Sequence, residues 1–333
     1  MLALQLFQPS PIELAPLAAS QLPKPRPSAG QVRLKVLTCG VCHTDLHIVE
    51  GDIHPPKLPI TPGHQVVGVV DATGGEVTTI HPGDRVGVPW LFNACGDCDF
   101  CRRGEENLCE KAHFTGFHKN GGFSEYMLAD VRYILPLPAD LSNELAAPLL
   151  CAGIIGYRSL RKSDIKPGER LGLVGFGASA HLAIQIGVHW GCEIYVYTRT
   201  KEHQKHAMEL GAAWAGNFDE KKLKPLDRAI IFAPAGDLVP LVLERLRPGG
   251  TLAINAVHMS PIPAMEYRLI YGERTIRSVA NATYQDGLDF MRLAMEINIH
   301  SDITLYPLEE ANRALLDLKH SKFNGEAVLV IHP

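Results

Sequence analysis

Along QVRLKVLTC, residues 31–39, apolar and polar side chains alternate, the period of a strand with one buried face. Much of the first half keeps that habit in short runs broken by glycine and proline. VVGVVDATGGEVTTIHPGDRVGV is one of them, and the pattern predicts an irregular β domain. From residue 165 the rhythm changes. KPGERLGLVGFGASAHLAIQIGVHWGCEIYVYTRT reads as a strand at 170–174, a glycine turn, a helix and a second strand, EIYVY. RAIIFAPA, the helix-like LVPLVLERL and RPGGTLAINAV repeat the alternation, which predicts an α/β doubly wound domain. The stretch Leu171 to Cys192 carries no Lys, Arg, Asp or Glu. Its interrupting glycines and histidines favour a buried strand, turn and helix over a membrane span.

Length and charge sharpen this picture. A chain of 333 residues is long for one core, so two domains are expected. A formal charge of -4 without Lys/Arg runs leaves no footprint for nucleic acid or anionic lipid. MLALQLFQPSPIELAP lacks the basic start and long apolar run of a signal peptide, and the expected compartment is the cytoplasm.

The cysteines carry the chemistry. Cys95, Cys98, Cys101 and Cys109 fall in CGDCDFCRRGEENLC with the spacing C-x2-C-x2-C-x7-C. Four thiolates from one short loop suit a closed tetrahedral zinc site that organises a lobe too small to fold alone. A ferredoxin-like cluster would place the fourth cysteine after x3 and before proline, whereas Cys109 follows x7 and precedes Glu110. Cys39, Cys42, Cys151 and Cys192 remain, with histidines at 43, 47, 54 and 64. An open catalytic zinc takes three protein ligands, and two cysteines with one histidine make one such set. CGVCHTDLH supplies one cysteine, GHQVVG supplies His64, and the third ligand falls to Cys151 or Cys192. If residues 43–47 begin a helix, Thr44 and His47 share a face and Cys42 sits at its N-terminus, where the dipole favours a thiolate. CGVC also admits a thioredoxin-like redox pair.

Gly175-Phe176-Gly177-Ala178-Ser179-Ala180 is a G-x-G-x-x-A turn between strand and helix, the form that brings a dinucleotide pyrophosphate to a helix N-terminus. With this turn placed, the chain resembles the zinc-containing alcohol dehydrogenases of the medium-chain dehydrogenase/reductase family over essentially its whole length. CGVCHTDLH, PGHQVVGVV, HPGDRVGV, the four-cysteine segment, LLCAGIIGYRSL, GFGASA and LRPGG occur in that family's order. The resemblance implies a GroES-like β-rich catalytic domain with a structural zinc lobe over residues 1–152. It further implies a Rossmann doubly wound parallel-sheet domain over 153–281, and a return to the catalytic domain over 282–333. It assigns the catalytic zinc to Cys42, His64 and Cys151, so two zinc ions per chain are expected. Thr44 matches the hydroxyl that hydrogen-bonds the substrate alcohol, His47 the base that passes its proton to solvent, and His43 a pyrophosphate contact. Asp45 matches the carboxylate that orients the ligand histidine, and Trp90 a bulky wall of the substrate pocket.

The activity so implied is interconversion of alcohols with aldehydes or ketones by hydride transfer to or from a nicotinamide cofactor, in a homodimer or homotetramer. The rival readings are a polyol or sugar dehydrogenase of the same family and a non-catalytic zinc- and dinucleotide-binding relative. Intact Cys42, Thr44, His47, His64 and Cys151 speak against the second. The sequence also departs from the family pattern: Gln65 replaces the usual glutamate, Ile155 a common threonine and Ser179 an aliphatic residue, and Glu326 stands where an arginine is common. The cofactor expectation also leaves the commonest pattern. NAD-specific Rossmann folds place an acidic residue at the end of the second strand, about 20 residues past the glycine turn. The family's spacing puts Thr198 there, followed by Arg199. A hydroxyl does not repel a 2′-phosphate and a guanidinium pairs with it, so NADP(H) is expected, with NAD(H) the alternative.

Overall fold

The computed structural model describes residues 1–219 and 224–332. Two compact units make up the chain. The first comprises Met1–Ile154, Asn281–Met295 and His300–Pro333, the second Ile155–Ala280 with Glu296–Ile299.

The first unit is organised by one long strand, Gln31–Val41, whose alternation buries Val32, Leu34 and Val36 completely. From Cys39 to Val41 every residue is buried, because the strand there runs between two antiparallel neighbours. Gln65–Thr73 pairs on one side, with Gly40 opposite Gln65, and Glu326–Val330 on the other, with Val41 opposite Ala327. Arg85–Val88 and Leu135–Pro136 extend the sheet at one edge, Ile303–Pro307 at the other, and Tyr126–Asp130 covers the first half of the central strand. Ala311, Ala314, Leu315 and Leu318 of the helix Ala311–Lys319 pack into this core. Each fully buried Val or Leu contributes about 1.5–3 kcal/mol, so the sheet is a firm platform for the loops at its ends.

The second unit has six parallel strands in the spatial order Trp214–Gly216, Glu193–Tyr197, Arg170–Val174, Leu226–Ile231, Leu246–Ile254, Thr275–Ser278. Numbered along the chain that is 3-2-1-4-5-6, the doubly wound order with its switch point between the first and fourth strands. Strands covered on both faces should be apolar, and in Leu226–Ile231 Leu226, Ala229, Ile230 and Ile231 are fully buried, while the buried charges of Asp227 and Arg228 are paired with Arg247 and Glu169. The helix Ala178–His189 follows the first strand through the glycine turn, so the uncharged stretch at 171–192 is a strand, turn and buried helix. Among the described residues no helix is long and apolar enough to cross a membrane.

Candidate active site and metal centres

The end of the central strand delivers Cys42 to the site. Its backbone is extended, and it caps the helix His43–Glu50: its Sγ accepts the Thr44 N–H at 3.3 Å, and its own N–H donates to Asp45 Oδ2 at 3.1 Å. Thr44 and His47 sit one turn apart on that helix, as the spacing predicts. Gly51 closes it at φ 89°, a left-handed conformation that glycine adopts without Cβ strain. The reversal brings Asp52 back to His47, with Nδ1 and Oδ2 2.8 Å apart.

His64 leads into the strand Gln65–Thr73 and is 1% exposed. Its Nδ1 lies 3.1 Å from Asp45 Oδ1, which also accepts the Gly63 N–H at 3.0 Å. A carboxylate can only accept, so Nδ1 carries the proton and Nε2 is left bare. That nitrogen lies 3.2 Å from Cys42 Sγ. Cys151 arrives from a widened, π-type turn, Leu149–Gly153, between two helices, a deviation frequent at functional sites. The donor atoms of Cys42, His64 and Cys151 all lie within 4.8 Å of one another.

The electrostatics of this cluster call for a cation. Cys42, Asp45, Cys151 and Glu326 act on one another around a single imidazole. The Cys42 thiol is held well below its ordinary value, first by a hydrogen bond from Cys151 and then, against burial, by His64 and Thr44. The same hydrogen bond and burial push Cys151 well up. Burial pulls the His64 imidazole down, but Asp45 and Cys42 outweigh it and hold its pKa well above the usual range. His64 Nε2 and Cys42 Sγ, 3.2 Å apart, face each other where a metal dication would bind both thiolates and the imidazole. The set fits zinc, with Cys42 and Cys151 half-buried and a fourth position left to substrate.

The four-cysteine lobe fits the same metal in closed form. Cys95, Cys98, Cys101 and Cys109 bring their sulfurs within 4.8 Å, with Cys95 Sγ 3.8 Å from Cys101 Sγ and 3.6 Å from Cys109 Sγ. Bonds of about 2.3 Å to a tetrahedral zinc require sulfurs about 3.8 Å apart, far beyond a disulfide's roughly 2.05 Å. Without a cation the thiols cannot ionise alike. Cys98 is held down to about 7, chiefly by a backbone N–H of Cys101, and Cys101 is pushed up to about 12 by burial.

The remaining cysteines stay apart from both donor sets. Cys39 is fully buried, its Sγ 3.5 Å from the Gly40 carbonyl, and burial raises its pKa well above the ordinary value. Cys192 is buried in the second unit against the Lys166 carbonyl at 3.6 Å. Trp90 sets its ring edge-to-face against His64, centroids 4.9 Å apart, and stacks on Phe114 at 5.0 Å. His43 is exposed on the capped helix. In the second unit Gly175, at φ 88°, turns the chain after the first strand. A Cβ there would meet the Ala233 nitrogen at 2.9 Å, so glycine is required. Phe176 is buried, and Gly177 caps the helix that Ala178 begins. Thr198 directly follows the second strand, its N–H on the Gly216 carbonyl, and Arg199 is exposed beside it.

Three features escaped sequence reasoning. Asp52 was within reach, since a Gly-Asp pair after a helix end folds back onto the last turn. The Gln65–Glu326 pair was not: Gln65 Nε2 donates to Glu326 Oε1 at 2.8 Å, and both residues are fully buried. The Gln65 side chain passes over Gly40, where a Cβ would lie 2.9 Å from its Cδ and Nε2. These two departures from the family pattern therefore meet in one buried hydrogen bond. Burial, and then the Cys42 charge, push the Glu326 carboxyl well above the usual range. The third is the contact of Asn281 with Trp90.

A doubly wound nucleotide-type sheet in one unit, with an open centre of two cysteines and a histidine and a four-cysteine lobe in the other, defines a zinc-type dehydrogenase. Residues 28–139 match the family model of the alcohol dehydrogenase GroES-like domain, and residues 180–295 that of the zinc-binding dehydrogenases. "Probable alcohol dehydrogenase AdhA" of Mycobacterium tuberculosis is 43% identical over 99% of this chain and 97% of its own. An alcohol dehydrogenase of Geobacillus stearothermophilus is 33% identical over 95% of this chain and 96% of its own. Among solved structures, a cinnamyl alcohol dehydrogenase of Sorghum bicolor superposes with a TM-score of 0.90 at 26% identity, covering 99% of this chain and 97% of that one. The chain belongs to the zinc-containing alcohol dehydrogenases of the medium-chain dehydrogenase/reductase family. It is an NAD(P)-dependent alcohol oxidoreductase.

Proposed function

We propose that Cys42, His64 and Cys151 hold a catalytic zinc, that Cys95, Cys98, Cys101 and Cys109 hold a structural one, and that NADP(H) is the preferred cofactor. The observation that carries this reading is the convergence of the three donors, with Asp45 fixing the tautomer of His64, at the foot of the helix that bears Thr44 and His47. Zinc in the open site supplies the Lewis acidity that brings an alcohol hydroxyl to ionise near neutral pH. The nicotinamide supplies the hydride acceptor. The chain's own residues handle the proton. The Thr44 hydroxyl, beside Cys42, would accept the alcohol's proton while releasing its own toward the cofactor ribose, and His47 would take that proton and pass it to solvent, with Asp52 opposing the charge that forms on the ring.

Trp90, Phe114 and Phe117 form an aromatic wall beside His64, which favours primary alcohols and aldehydes with an aryl or bulky apolar substituent. The sorghum relative is a cinnamyl alcohol dehydrogenase, in keeping with that choice. The NADP(H) preference rests on neutral Thr198 and exposed Arg199 just past the second strand, and Gly175–Ala178, the glycine turn and helix start of that unit, would hold the pyrophosphate. The family resemblance supports a homodimer or homotetramer, which light scattering decides. Turnover of a panel of aryl and alkyl aldehydes with NADPH and with NADH tests the reading. Oxidation of NADPH by cinnamaldehyde-type substrates is expected. Absence of turnover with every aldehyde, in protein carrying both zincs, would contradict it.

A further inference from the structure

Asn281 contacts two parts of the first unit that the reaction itself does not explain. Its backbone is left-handed, φ 56°, a conformation that asparagine tolerates better than most residues. Its Oδ1 accepts the indole N–H of Trp90 at 3.0 Å, and its Nδ2 faces the Asn107 carbonyl at 3.5 Å. Indole nitrogen only donates and a carbonyl only accepts, so the amide can sit one way round and no other. Asn107 belongs to the turn Glu106–Leu108 that leads into Cys109. Three residues past Asn281, the Tyr284 N–H donates to Glu106 Oε1 of that same turn at 2.7 Å. The segment from 281 to 284 is thereby fastened to the four-cysteine lobe, and through Asn281 the lobe reaches Trp90.

Trp90 is the side chain whose orientation matters most beside the open centre. Its ring meets His64 edge-on, at 4.9 Å and 74°, and lies almost parallel to Phe114, at 12°. Its backbone carbonyl takes the Thr115 N–H at 2.8 Å. Stacking on Phe114 limits the tilt of the ring but leaves it free to slide and turn within its plane. The hydrogen bond to Asn281 removes that freedom. No common replacement does this as well. Glycine keeps the left-handed backbone but has no acceptor, aspartate sets a charge against the Asn107 carbonyl, and β-branched residues reject the positive φ.

We infer that Asn281 is a positioning residue for substrate selection: it locks the Trp90 indole against His64 and so fixes the room left for the substrate's substituent. The inference rests on Cys42, His64 and Cys151 being the reaction centre. Asn281→Gly removes the side chain without straining the backbone and is the variant of choice. Its kcat/KM for an aryl aldehyde should fall roughly three- to tenfold relative to that for acetaldehyde, the weight of one neutral hydrogen bond. Zinc content should stay unchanged. In a Trp90→Phe background, which lacks the indole N–H, Asn281→Gly should move this ratio no further. Equal losses for large and small aldehydes, or an equal effect in the Trp90→Phe background, would overturn the proposal and leave Asn281 a structural residue.

A spectroscopic arm keeps the two readings separable. The chain has three tryptophans, so Trp190→Phe and Trp214→Phe leave Trp90 as the sole tryptophan, whose emission is read with excitation selective for indole. Adding Asn281→Gly should shift its emission whether or not the protein turns over. An unchanged spectrum would refute the tether, whereas a shifted spectrum without turnover of any aldehyde would count against the reaction centre alone.

Discussion

Replacing Asp45 by asparagine alters one terminal atom in a fully buried residue that holds both Cys42 and His64. The carboxylate accepts three N–H groups: Cys42 at 3.1 Å on Oδ2, and Gly63 at 3.0 Å and His64 Nδ1 at 3.1 Å on Oδ1. An asparagine oxygen can keep the last two bonds, but its NH2 then confronts the Cys42 N–H, donor against donor. Flipping the amide is worse, since two bonds are lost instead of one. The orphaned N–H costs about 1–3 kcal/mol where water cannot replace the partner. The surviving bonds lose their charge assistance, about another 1 kcal/mol together. Relief from burying a charge offsets part of this, because desolvation already raises the Asp45 pKa. The net loss is about 2–3 kcal/mol. Most of it should appear as a roughly ten- to hundredfold weaker hold on the open-site zinc, the usual weight of a partner behind a ligand histidine. Titration with a chromophoric chelator should show one zinc leaving Asp45→Asn at lower chelator concentration while the four-cysteine zinc stays. Wild-type affinity for both zincs would refute the role of Asp45.

Three further outcomes follow from the same geometry. Cys109→Ser should lose the lobe's proposed zinc and impair folding or assembly, read from zinc content and size-exclusion profile, because its sulfur, 3.6 Å from that of Cys95, is one of the four that converge there. Arg199→Ala should weaken NADPH binding by more than about tenfold and leave NADH binding nearly unchanged, as cofactor titrations will show, since only a 2′-phosphate engages the guanidinium. Asp227 is pushed up by burial, but the Arg170 N–H and the Arg247 and Arg170 guanidiniums outweigh it and hold its pKa below the ordinary value. A depressed carboxyl stabilises the fold above about pH 4 and loses that contribution as pH falls through its lower folded-state value. Asp227→Asn should therefore cost about 1–3 kcal/mol at about pH 7 and flatten the acid limb of a stability–pH curve, with guanidinium unfolding as the assay.

What could be read before the fold was known is what neighbouring residues state together. The x2, x2, x7 spacing of the lobe is local, and so is the placing of Cys42, Thr44 and His47 around one helix start. The apolar strand 170–174 and its glycine turn identify themselves for the same reason. Gln65 and Glu326 each looked anomalous alone, and their pairing was hidden because it spans 261 residues and crosses the central strand over Gly40. A glycine that makes room for a neighbour's side chain leaves no periodic trace. Asn281 and Trp90, 191 residues apart, are joined only once the four-cysteine lobe is folded beside them. Long-range polar pairs of this kind carry no spacing rule.

Metal analysis of the wild type beside Cys151→Ser tests the central claim most directly. Cys151 belongs to the open donor set alone, so its loss leaves the sulfurs of the four-cysteine lobe untouched. Two zinc ions per chain are expected in active wild-type protein, and one, without turnover, in a Cys151→Ser variant that still folds. A single zinc in active wild type, or two retained in Cys151→Ser, would contradict the account.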